Sequence, residues 1–148
     1  MSDAGVVRLL VFRVGRLLCA AEAERVREIL PHLAATRIPG AAAVVAGVVN
    51  VRGSLVTVVE GWRALRQEEP PADAGRTIVL LDVDGANRVV GFTVDEVVDL
   101  ATVSSDTLDR RQALPGIDPT LVRAVGRRNG QLFVVLDTDA LLTPILSA

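Results

Sequence analysis

Runs of apolar, mostly β-branched residues are broken along this chain by short turn sequences. Where Gly, Asn-Gly or Asp-Gly separates two such runs, the pattern predicts a β-hairpin, because these residues tolerate the positive φ that tight turns need. Four hairpins are predicted in this way, at Val6–Ala20, Val48–Val59, Arg76–Val94 and Leu121–Leu136. Short strands at this spacing are typical of small β-barrels and not of helical or doubly wound folds.

Shorter elements connect the predicted hairpins. Ala21–Leu30 combines helix formers with a β-branched end, which predicts one helical turn that runs into a strand at Val26–Leu30. The alanine-rich stretch Ala41–Ala46 predicts a short helix. Two further short helices are predicted directly after hairpins, at Gly61–Leu65 and Thr138–Leu142.

The second half of the chain repeats the pattern of the first. Gly53 matches Gly130 at a shift of 77 residues (130 − 53), and Glu24 matches Asp95 at a shift of 71 (95 − 24). A repeat of this kind indicates two related structural units, so we expect two barrels packed together. The expected bounds are roughly 6–66 for the first barrel, 76–142 for the second and 66–76 for the connection, within one domain, 1–148.

Composition narrows the classes of partner. The chain is 50% hydrophobic and 23% charged with a net charge of −2, and its pI is near 5.4, so it has no general attraction for nucleic acid or an anionic membrane. Only 3% of the residues are aromatic, so platforms for stacking bases are scarce. The N-terminal apolar run is interrupted by Arg8 and Arg13 and resembles neither a secretory signal nor a membrane span. We expect a cytoplasmic protein without direct membrane insertion.

Residues that carry catalysis or bind metals are few. His32 is the single histidine and follows a proline in a connecting segment, and Cys19 is the single cysteine and lies in an apolar run. One residue of each kind excludes an intrachain disulfide and the usual clustered zinc site. Asp82–Gly85 lacks the downstream ligands of a calcium loop and is interpreted as a turn. We therefore expect no enzyme activity, no cofactor and no metal.

The segment from Gly47 to Val59 contains the strongest candidate for a binding function. Its sequence Asn50-Val51-Arg52-Gly53 breaks a β-branched run once, which predicts a tight turn that holds Arg52 between two apolar strands. Arginine presents a planar set of donors to carboxylate or carbonyl groups. A β scaffold that exposes an arginine next to apolar strand faces is typical of a protein-binding module.

Three blocks of sequence, AERVREIL, GVVNVRGSLVTVVE and RVVGFTVDEVVDL, together resemble the CheW-like domain family of bacterial chemosensory systems. The resemblance extends from about Val6 to Leu142. It implies a mainly β fold of two packed, five-stranded SH3-like barrels with a few short helices. It also implies a non-enzymatic adaptor that couples the cytoplasmic tips of chemoreceptors to the regulatory domain of a CheA-type histidine kinase.

The same resemblance implies which residues contact the partners. It places the receptor in a groove between the two barrels, where the matching residues are Val26, Glu28, Gly47, Asn50, Arg52, Gly53 and Gly91. For Val26 and the glycines Gly47 and Gly91, a purely structural role is an equal alternative. The candidate kinase-facing positions depart from the Pro, Asp and Leu that are common in the family, and they are Thr57, Glu60 and Gly61.

Two alternative functions remain open at this point. The clustering of the three departures within five residues also fits an accessory CheW-like protein that binds the receptor but has a weakened or altered kinase contact. The other alternative is a small-barrel protein that binds nucleic acid, and its best support is the pairs Arg110-Arg111 and Arg127-Arg128. The acidic pI and the scarcity of aromatic residues argue against the second alternative.

Overall fold

The computed structural model describes residues 5–67, 77–85, 87–110 and 114–147. Most of the connection expected at 66–76, and Arg111 of the basic pairs, lie outside these residues. The strands are β1 (Val6–Val14), β2 (Leu17–Glu22), β3 (Val26–Leu30), β4 (Val45–Val51), β5 (Ser54–Val59), β6 (Thr77–Val83), β7 (Arg88–Val94), β8 (Glu96–Ser104), β9 (Val122–Arg128) and β10 (Gln131–Leu136). The helices are α1 (Gly61–Ala64), α2 (Thr138–Ser147) and the single 3-10 turns Ala23–Arg25, Ser105–Thr107 and Pro119–Leu121. None of the helices in these residues is long and apolar enough to cross a membrane.

The strands form two five-stranded mixed sheets. Sheet A has the order β8-β1-β2-β10-β9, and sheet B has the order β3-β6-β7-β5-β4. Each sheet contains one parallel pair, β2 with β10 in sheet A and β7 with β5 in sheet B. The predicted hairpins all form, and the turn between β6 and β7 falls at Asp84 and Gly85 with φ of 60° and 65°. The predicted mainly β fold is confirmed.

Each sheet draws strands from both halves of the chain. The hairpin β1–β2 belongs to sheet A, but β3, which follows it, pairs with β6 in sheet B. In the same way, β8 follows the sheet B hairpin β6–β7 and pairs with β1 in sheet A. The expected division into barrels at 6–66 and 76–142 is therefore wrong. The two halves exchange strands. The sequence did not reveal this exchange, because turn residues specify a hairpin but not the sheet that the next strand joins.

The exchange preserves the internal repeat. A shift of 77 residues carries β4 and β5 onto β9 and β10, residue for residue, and carries the first residue of α1 onto that of α2. A shift of 71 carries the first residues of β1 and β2 onto those of β6 and β7. The two sheets are thus built from equivalent elements in equivalent order.

A backbone bridge closes each sheet into a small barrel. In sheet B, Thr36 pairs with Val48 of the edge strand β4 through two hydrogen bonds of 2.9 Å, so the chain that leaves the edge strand β3 returns to the opposite edge. In sheet A, Asp109 pairs with Val125 of β9 through two hydrogen bonds of 2.8 Å after the chain has left β8. Closure pairs backbone groups at sheet edges that would otherwise invite other strands.

Three apolar clusters fill the interior. One lies inside the barrel that sheet A forms, one lies inside the barrel that sheet B forms, and the third, the shared cluster, lies between the two sheets. Leu9 and Val11 of β1 face the interior of sheet A, whereas Leu10 and Phe12 face the shared cluster. Because both faces of β1 are buried, its sequence is an apolar run rather than a strict alternation. Large members of the shared cluster are Phe12, Leu81, Phe92, Leu136 and Leu142.

Two short elements differ from their predicted form. Residues 41–44 are not helical, and β4 begins at Val45, inside the helix predicted at Ala41–Ala46. Val45 pairs with Val59 of β5, and such pairing outweighs the weak helical preference of alanine. The last helix, α2, begins where predicted but continues to Ser147.

Strand exchange makes the two halves dependent on one another. We expect a fragment of residues 1–66 to remain unfolded alone, because it lacks the hairpin β6–β7 of sheet B and three strands of sheet A. Mixing it with a fragment of residues 76–148 should restore the far-ultraviolet circular dichroism and the cooperative urea unfolding of the intact chain. Cooperative unfolding of the first fragment by itself would show that the halves are independent barrels.

Candidate functional site

Arg52 lies at the tip of the hairpin β4–β5. Its φ is 51° and that of Gly53 is 88°, so both central residues of the turn are left-handed, as a type I′ turn requires. The Asn50 side chain stabilises the turn, because its Oδ1 accepts a hydrogen bond from the Gly53 N–H at 2.8 Å. The Arg52 side chain points outward and is 71% exposed.

Glu28 of β3 fixes the direction of the Arg52 guanidinium. Nη1 of Arg52 donates a hydrogen bond to Oε2 of Glu28 at 3.0 Å, and Nη2 donates to Oε1. Because β3 and β4 are opposite edges of sheet B, this bidentate ion pair crosses the line where the barrel closes. The hydrogen bond from Arg52 lowers the pKa of Glu28, and the same bond raises the pKa of Arg52.

Sheet A carries the equivalent turn with a different residue at its tip. Asn129 and Gly130 have φ of 49° and 79°, the same left-handed pair as in the sheet B turn. Asparagine tolerates this region better than arginine does, so the turn at Arg52 uses the less favourable residue. An ion pair also crosses the closure of sheet A, where Arg128 Nη1 lies 3.0 Å from Asp99 Oδ2. Both sheets thus have an ion pair across the line of closure. They differ at the tip of the turn, where sheet B has an arginine and sheet A has an asparagine.

A groove of 420 Å³, here called the tip groove, lies beside the ion pair at the end of sheet B. Glu28 and Arg52 line it together with apolar residues from the interior of this sheet. Leu55 also lines it and is 73% exposed, whereas its repeat counterpart Leu132 packs against the shared cluster. An exposed leucine beside an oriented arginine is typical of a protein-docking surface.

A second groove, here called the intersheet groove, is lined by β1 and β8 of sheet A and by β3 of sheet B. It encloses 590 Å³. Leu10 and Val26 line it and pack with the shared cluster. The side chains of Val6, Ile29 and Leu100 are 53, 45 and 54% exposed along it. An apolar groove with exposed apolar side chains is a surface that another protein can cover.

The residues that the family resemblance placed in one receptor groove do not all line one groove. Val26 lines the intersheet groove, whereas Glu28, two residues later, lines the tip groove with Arg52. A β-bulge between Val26 and Glu28 shifts the register with β6, and a bulge redirects the side chains on either side of it. Among the described residues, Arg52 is not part of the intersheet groove. The arrangement therefore provides two separate grooves, each a candidate docking surface.

Gly47 and Gly91 are buried, and their contacts support the structural alternative. Gly47 has a φ of 145°, and a Cβ there would overlap the carbonyl oxygen of Thr36 in the bridge that closes sheet B. A Cβ at Gly91 would lie 3.0 Å from Ile78 Cγ2 and 3.2 Å from Val58 Cγ2. These glycines permit close packing of the chain beneath the surface, so we expect no direct partner contact from either.

The three departures from the family pattern do not form one exposed patch. Thr57 is half-buried within β5, which lies between β4 and β7. The Glu60 carboxylate accepts a hydrogen bond from Nε1 of Trp62 at 3.0 Å. Gly61 is buried, its N–H donates to Oγ1 of Thr93 at 2.9 Å, and a Cβ there would overlap the Thr93 carbonyl oxygen. The glycine at this position is thus explained by the docking of α1 on β7.

His32 and Cys19 are the side chains that the sequence offered for catalysis or metal binding, and they differ in exposure. His32 is exposed in the segment after β3. Cys19 is fully buried, and burial raises its pKa to about 12, so the thiol stays protonated and unreactive. Across residues 5–67, 77–85, 87–110 and 114–147, no group of three or more His, Cys, Asp or Glu side chains is placed to hold a metal ion.

Leu55, Ile29 and Leu100 were not singled out from the sequence, although they line the two grooves. Each lies in an apolar strand, where composition alone does not distinguish an exposed side chain from a core one. For Leu100 the alternation contained a signal, because β8 alternates between exposed and half-buried residues along its whole length. For Leu55 the signal was its position two residues after Gly53 of the turn.

Comparison with known proteins assigns the chain to a family. The model of the CheW-like domain matches residues 8–145. A probable chemotaxis protein CheW of Rhizobium etli is 32% identical over 125 residues, which cover 84% of this chain and 77% of that protein. The chemotaxis protein CheW of Rhizobium meliloti is 31% identical over 136 residues, which cover 89% and 84%. The crystal structure of the scaffolding protein TtCheW from Thermoanaerobacter tengcongensis matches with a TM-score of 0.83 and 17% identity over 91% of both chains.

These comparisons differ in what they show. The solved structure has low sequence identity and supports the fold of two packed five-stranded sheets. The family model and the two rhizobial relatives match in sequence over most of the chain, and they favour a coupling adaptor over the accessory and nucleic-acid-binding alternatives. The chain therefore belongs to the CheW-like domain family and is an adaptor of chemotaxis signalling.

Proposed function

We propose that this protein couples the cytoplasmic tips of chemoreceptors to the regulatory domain of a CheA-type histidine kinase, with one partner on each groove. One observation carries the proposal. Val26 lines the intersheet groove and Glu28 lines the tip groove with Arg52, although Val26 and Glu28 are only two residues apart in β3. An adaptor must hold two partners at once, and two separate surfaces meet that requirement. Family membership supports a chemoreceptor and a CheA-type kinase as the partners, and we propose that the protein meets them in the cytoplasm at receptor arrays.

The intersheet groove is the proposed receptor site. It lies between the two sheets, where the resemblance implies the receptor, and it contains Val26. Ile29 and Leu100 offer exposed apolar side chains to the partner. Covering such side chains contributes roughly 25 cal/mol per Å² of apolar surface removed from water, before the entropic cost of association.

The tip groove is the proposed kinase site. The resemblance implies that the kinase contacts apolar strand edges of one barrel, and Val51, in the part of β4 beyond the bridge from Thr36 to Val48, lines this groove. Leu55 offers apolar surface there. Glu28 accepts one hydrogen bond from each Nη of Arg52, which leaves further N–H donors of the guanidinium for a partner. Glu28 is thus a positioning residue, since a side chain that is already oriented loses less conformational freedom on binding.

The contacts of the departing and basic residues favour a full adaptor over the alternatives. Thr57 and Gly61, which suggested an altered kinase contact, are accommodated by packing within this protein. Arg128, which suggested nucleic-acid binding, is held by Asp99. In this proposal the protein is not an enzyme, needs no cofactor and does not bind nucleic acid. It uses both grooves as docking surfaces.

The variants Leu100→Glu and Leu55→Glu place the same charge in the two grooves. Both side chains are more than half exposed, 54% and 73%, so neither variant should lower the midpoint of urea unfolding appreciably. Leu100→Glu should weaken binding of a receptor signalling-tip fragment by about tenfold or more and spare the kinase regulatory domain, and Leu55→Glu should do the reverse. Isothermal titration calorimetry with each partner measures both effects. Equal losses for both partners from either variant would contradict the assignment.

The variant Arg52→Asn separates the function of the turn from its fold. Asn-Gly is a favoured type I′ sequence and already occurs at Asn129 and Gly130, so the urea midpoint should stay the same or rise. Affinity for the kinase domain should fall by about tenfold or more, because the guanidinium is lost. Asn129→Arg is the matched control and should leave both affinities unchanged. If Arg52→Asn instead abolished only receptor binding, Arg52 would belong to the receptor site.

The Glu28 carboxyl reports on the ion pair in solution. Because the hydrogen bond from Arg52 lowers its pKa, this carboxyl should titrate below its ordinary value of 4.5. A lowered folded-state pKa means that the pair stabilises the fold above the unfolded-state pKa and loses that effect as the pH falls through the folded-state pKa. Carbon-13 NMR titration should find the midpoint below 4.5 in the wild type and closer to 4.5 in Arg52→Asn. Identical midpoints in the two proteins would rule out a formed pair.

A further inference from the structure

A large part of the intersheet groove is lined by one short stretch, residues 22–26, here called the wall segment. Its members in the lining are Glu22, Ala23, Glu24 and Val26. The segment leaves β2 in sheet A, forms the 3-10 turn Ala23–Arg25 and enters β3 in sheet B. The shape of the groove therefore depends on what holds this crossing between the sheets.

Local interactions hold the wall segment only weakly. The side chain of Glu22, which precedes the turn, makes no capping hydrogen bond, and the turn is closed by the Val26 N–H, which donates to the Ala23 carbonyl oxygen. None of the three residues of the turn is buried. A single 3-10 turn has poor hydrogen-bond geometry. A contact from elsewhere in the fold is needed to fix the segment.

The carboxylate of Asp139 in α2 provides that contact. Nη1 of Arg25 donates a hydrogen bond to Oδ2 of Asp139 at 3.2 Å. Oδ1 of the same carboxylate accepts a hydrogen bond from the Asp84 N–H, in the turn between β6 and β7, at 3.1 Å. Asp139 thus joins the wall segment and the β6–β7 turn to α2. The two side chains of the ion pair are 27% and 38% exposed, so it is less screened by water than a fully exposed pair.

The start of α2 is a firm support for this carboxylate. Oδ1 of Asp137 accepts a hydrogen bond from the Ala140 N–H at 3.0 Å, which caps the helix. Leu141 and Leu142 belong to the shared cluster, and Leu142 is fully buried. Asp139 lies between the cap and these two leucines, so it belongs to the packed part of the fold.

The internal repeat shows that the other crossing is held differently. A shift of 71 residues carries Arg25 onto Glu96 (96 − 25) and Arg13 onto Asp84 (84 − 13). At the crossing from β7 to β8, Arg13 and Glu96 pair directly with each other. At the crossing from β2 to β3, the equivalent positions Arg25 and Asp84 meet through the carboxylate of Asp139. The link to α2 is added at the crossing that lines the intersheet groove.

We propose that Asp139 is a positioning residue for the receptor site. Among the described residues, neither Asp139 nor Arg25 lines the intersheet groove, so the ion pair acts by holding the wall segment in place. A surface that is already ordered loses less conformational freedom when a partner covers it, so its affinity is higher. The inference rests on the proposed function, because the intersheet groove is the proposed receptor site.

The variants Arg25→Gln and Asp139→Asn, singly and combined in the full chain, test the proposal. Both replacements nearly keep the size of the side chain, and asparagine keeps an oxygen that can accept from the Asp84 N–H. Hydrogen exchange followed by NMR should be faster at the Val26 amide, which closes the turn, and unchanged at the amide of Phe92 in the core.

Binding of the two partners gives the functional measurement. By calorimetry, each single variant should weaken binding of the receptor signalling-tip fragment by about two- to fivefold. The double variant should weaken it no further, because both changes remove the same ion pair. The affinity for the kinase regulatory domain and the midpoint of urea unfolding should stay the same. Arg13→Gln is the matched control, since it breaks the ion pair of the other crossing and should leave receptor binding unchanged.

The outcomes separate this proposal from the receptor site on which it rests. If the Val26 amide exchanges at the wild-type rate, or if Leu100→Glu weakens receptor binding but the single variants do not, the positioning role is overturned and the receptor site stands. Losses that add in the double variant, or equal losses for both partners with a lower urea midpoint, would also overturn it. If Leu100→Glu has no effect on receptor binding, the receptor site is wrong and the positioning role falls with it.

Discussion

The apolar cluster shared by the two sheets is the constraint on which the rest of the structure depends. Phe12 of β1 and Phe92 of β7 meet there edge to face, with ring centroids 6.1 Å apart. β1 and β6 each bury one face inside their own sheet and the other face in this cluster. Neither sheet can therefore complete its packing without the other, and the exchanged strands β3 and β8 are fixed at the boundary between them.

β3 links this constraint to function. It has five residues, pairs only with β6 in its sheet, and contains a bulge after Val26. Val26 packs against the shared cluster and lines the intersheet groove, whereas Glu28 reaches across the barrel closure to Arg52. One paired strand thus contributes to both grooves and holds them at a fixed spacing, which suits the proposed adaptor between two partners.

The sequence predicts what depends on neighbouring residues. Turn chemistry acts within about four residues, so the hairpins and the repeat of 77 residues could be recognised from Gly, Asn-Gly and Asp-Gly. Strand exchange could not be recognised from the sequence, because the sheet that β3 joins depends on burial against residues far along the chain. The ion pair of Glu28 and Arg52 likewise forms only through barrel closure. The helix predicted at Ala41–Ala46 does not form for the same reason, because pairing with β5 outweighs the weak helical preference of alanine.

The central claim is that two partners occupy separate surfaces of this protein at the same time. The most direct measurement is the mass of the complex formed when this protein is mixed with both the receptor signalling-tip fragment and the kinase regulatory domain, by size-exclusion chromatography with light scattering. We expect one species that contains all three proteins, and an affinity for the receptor fragment that saturating kinase domain does not lower. Displacement of the receptor fragment by the kinase domain would contradict the two-surface adaptor.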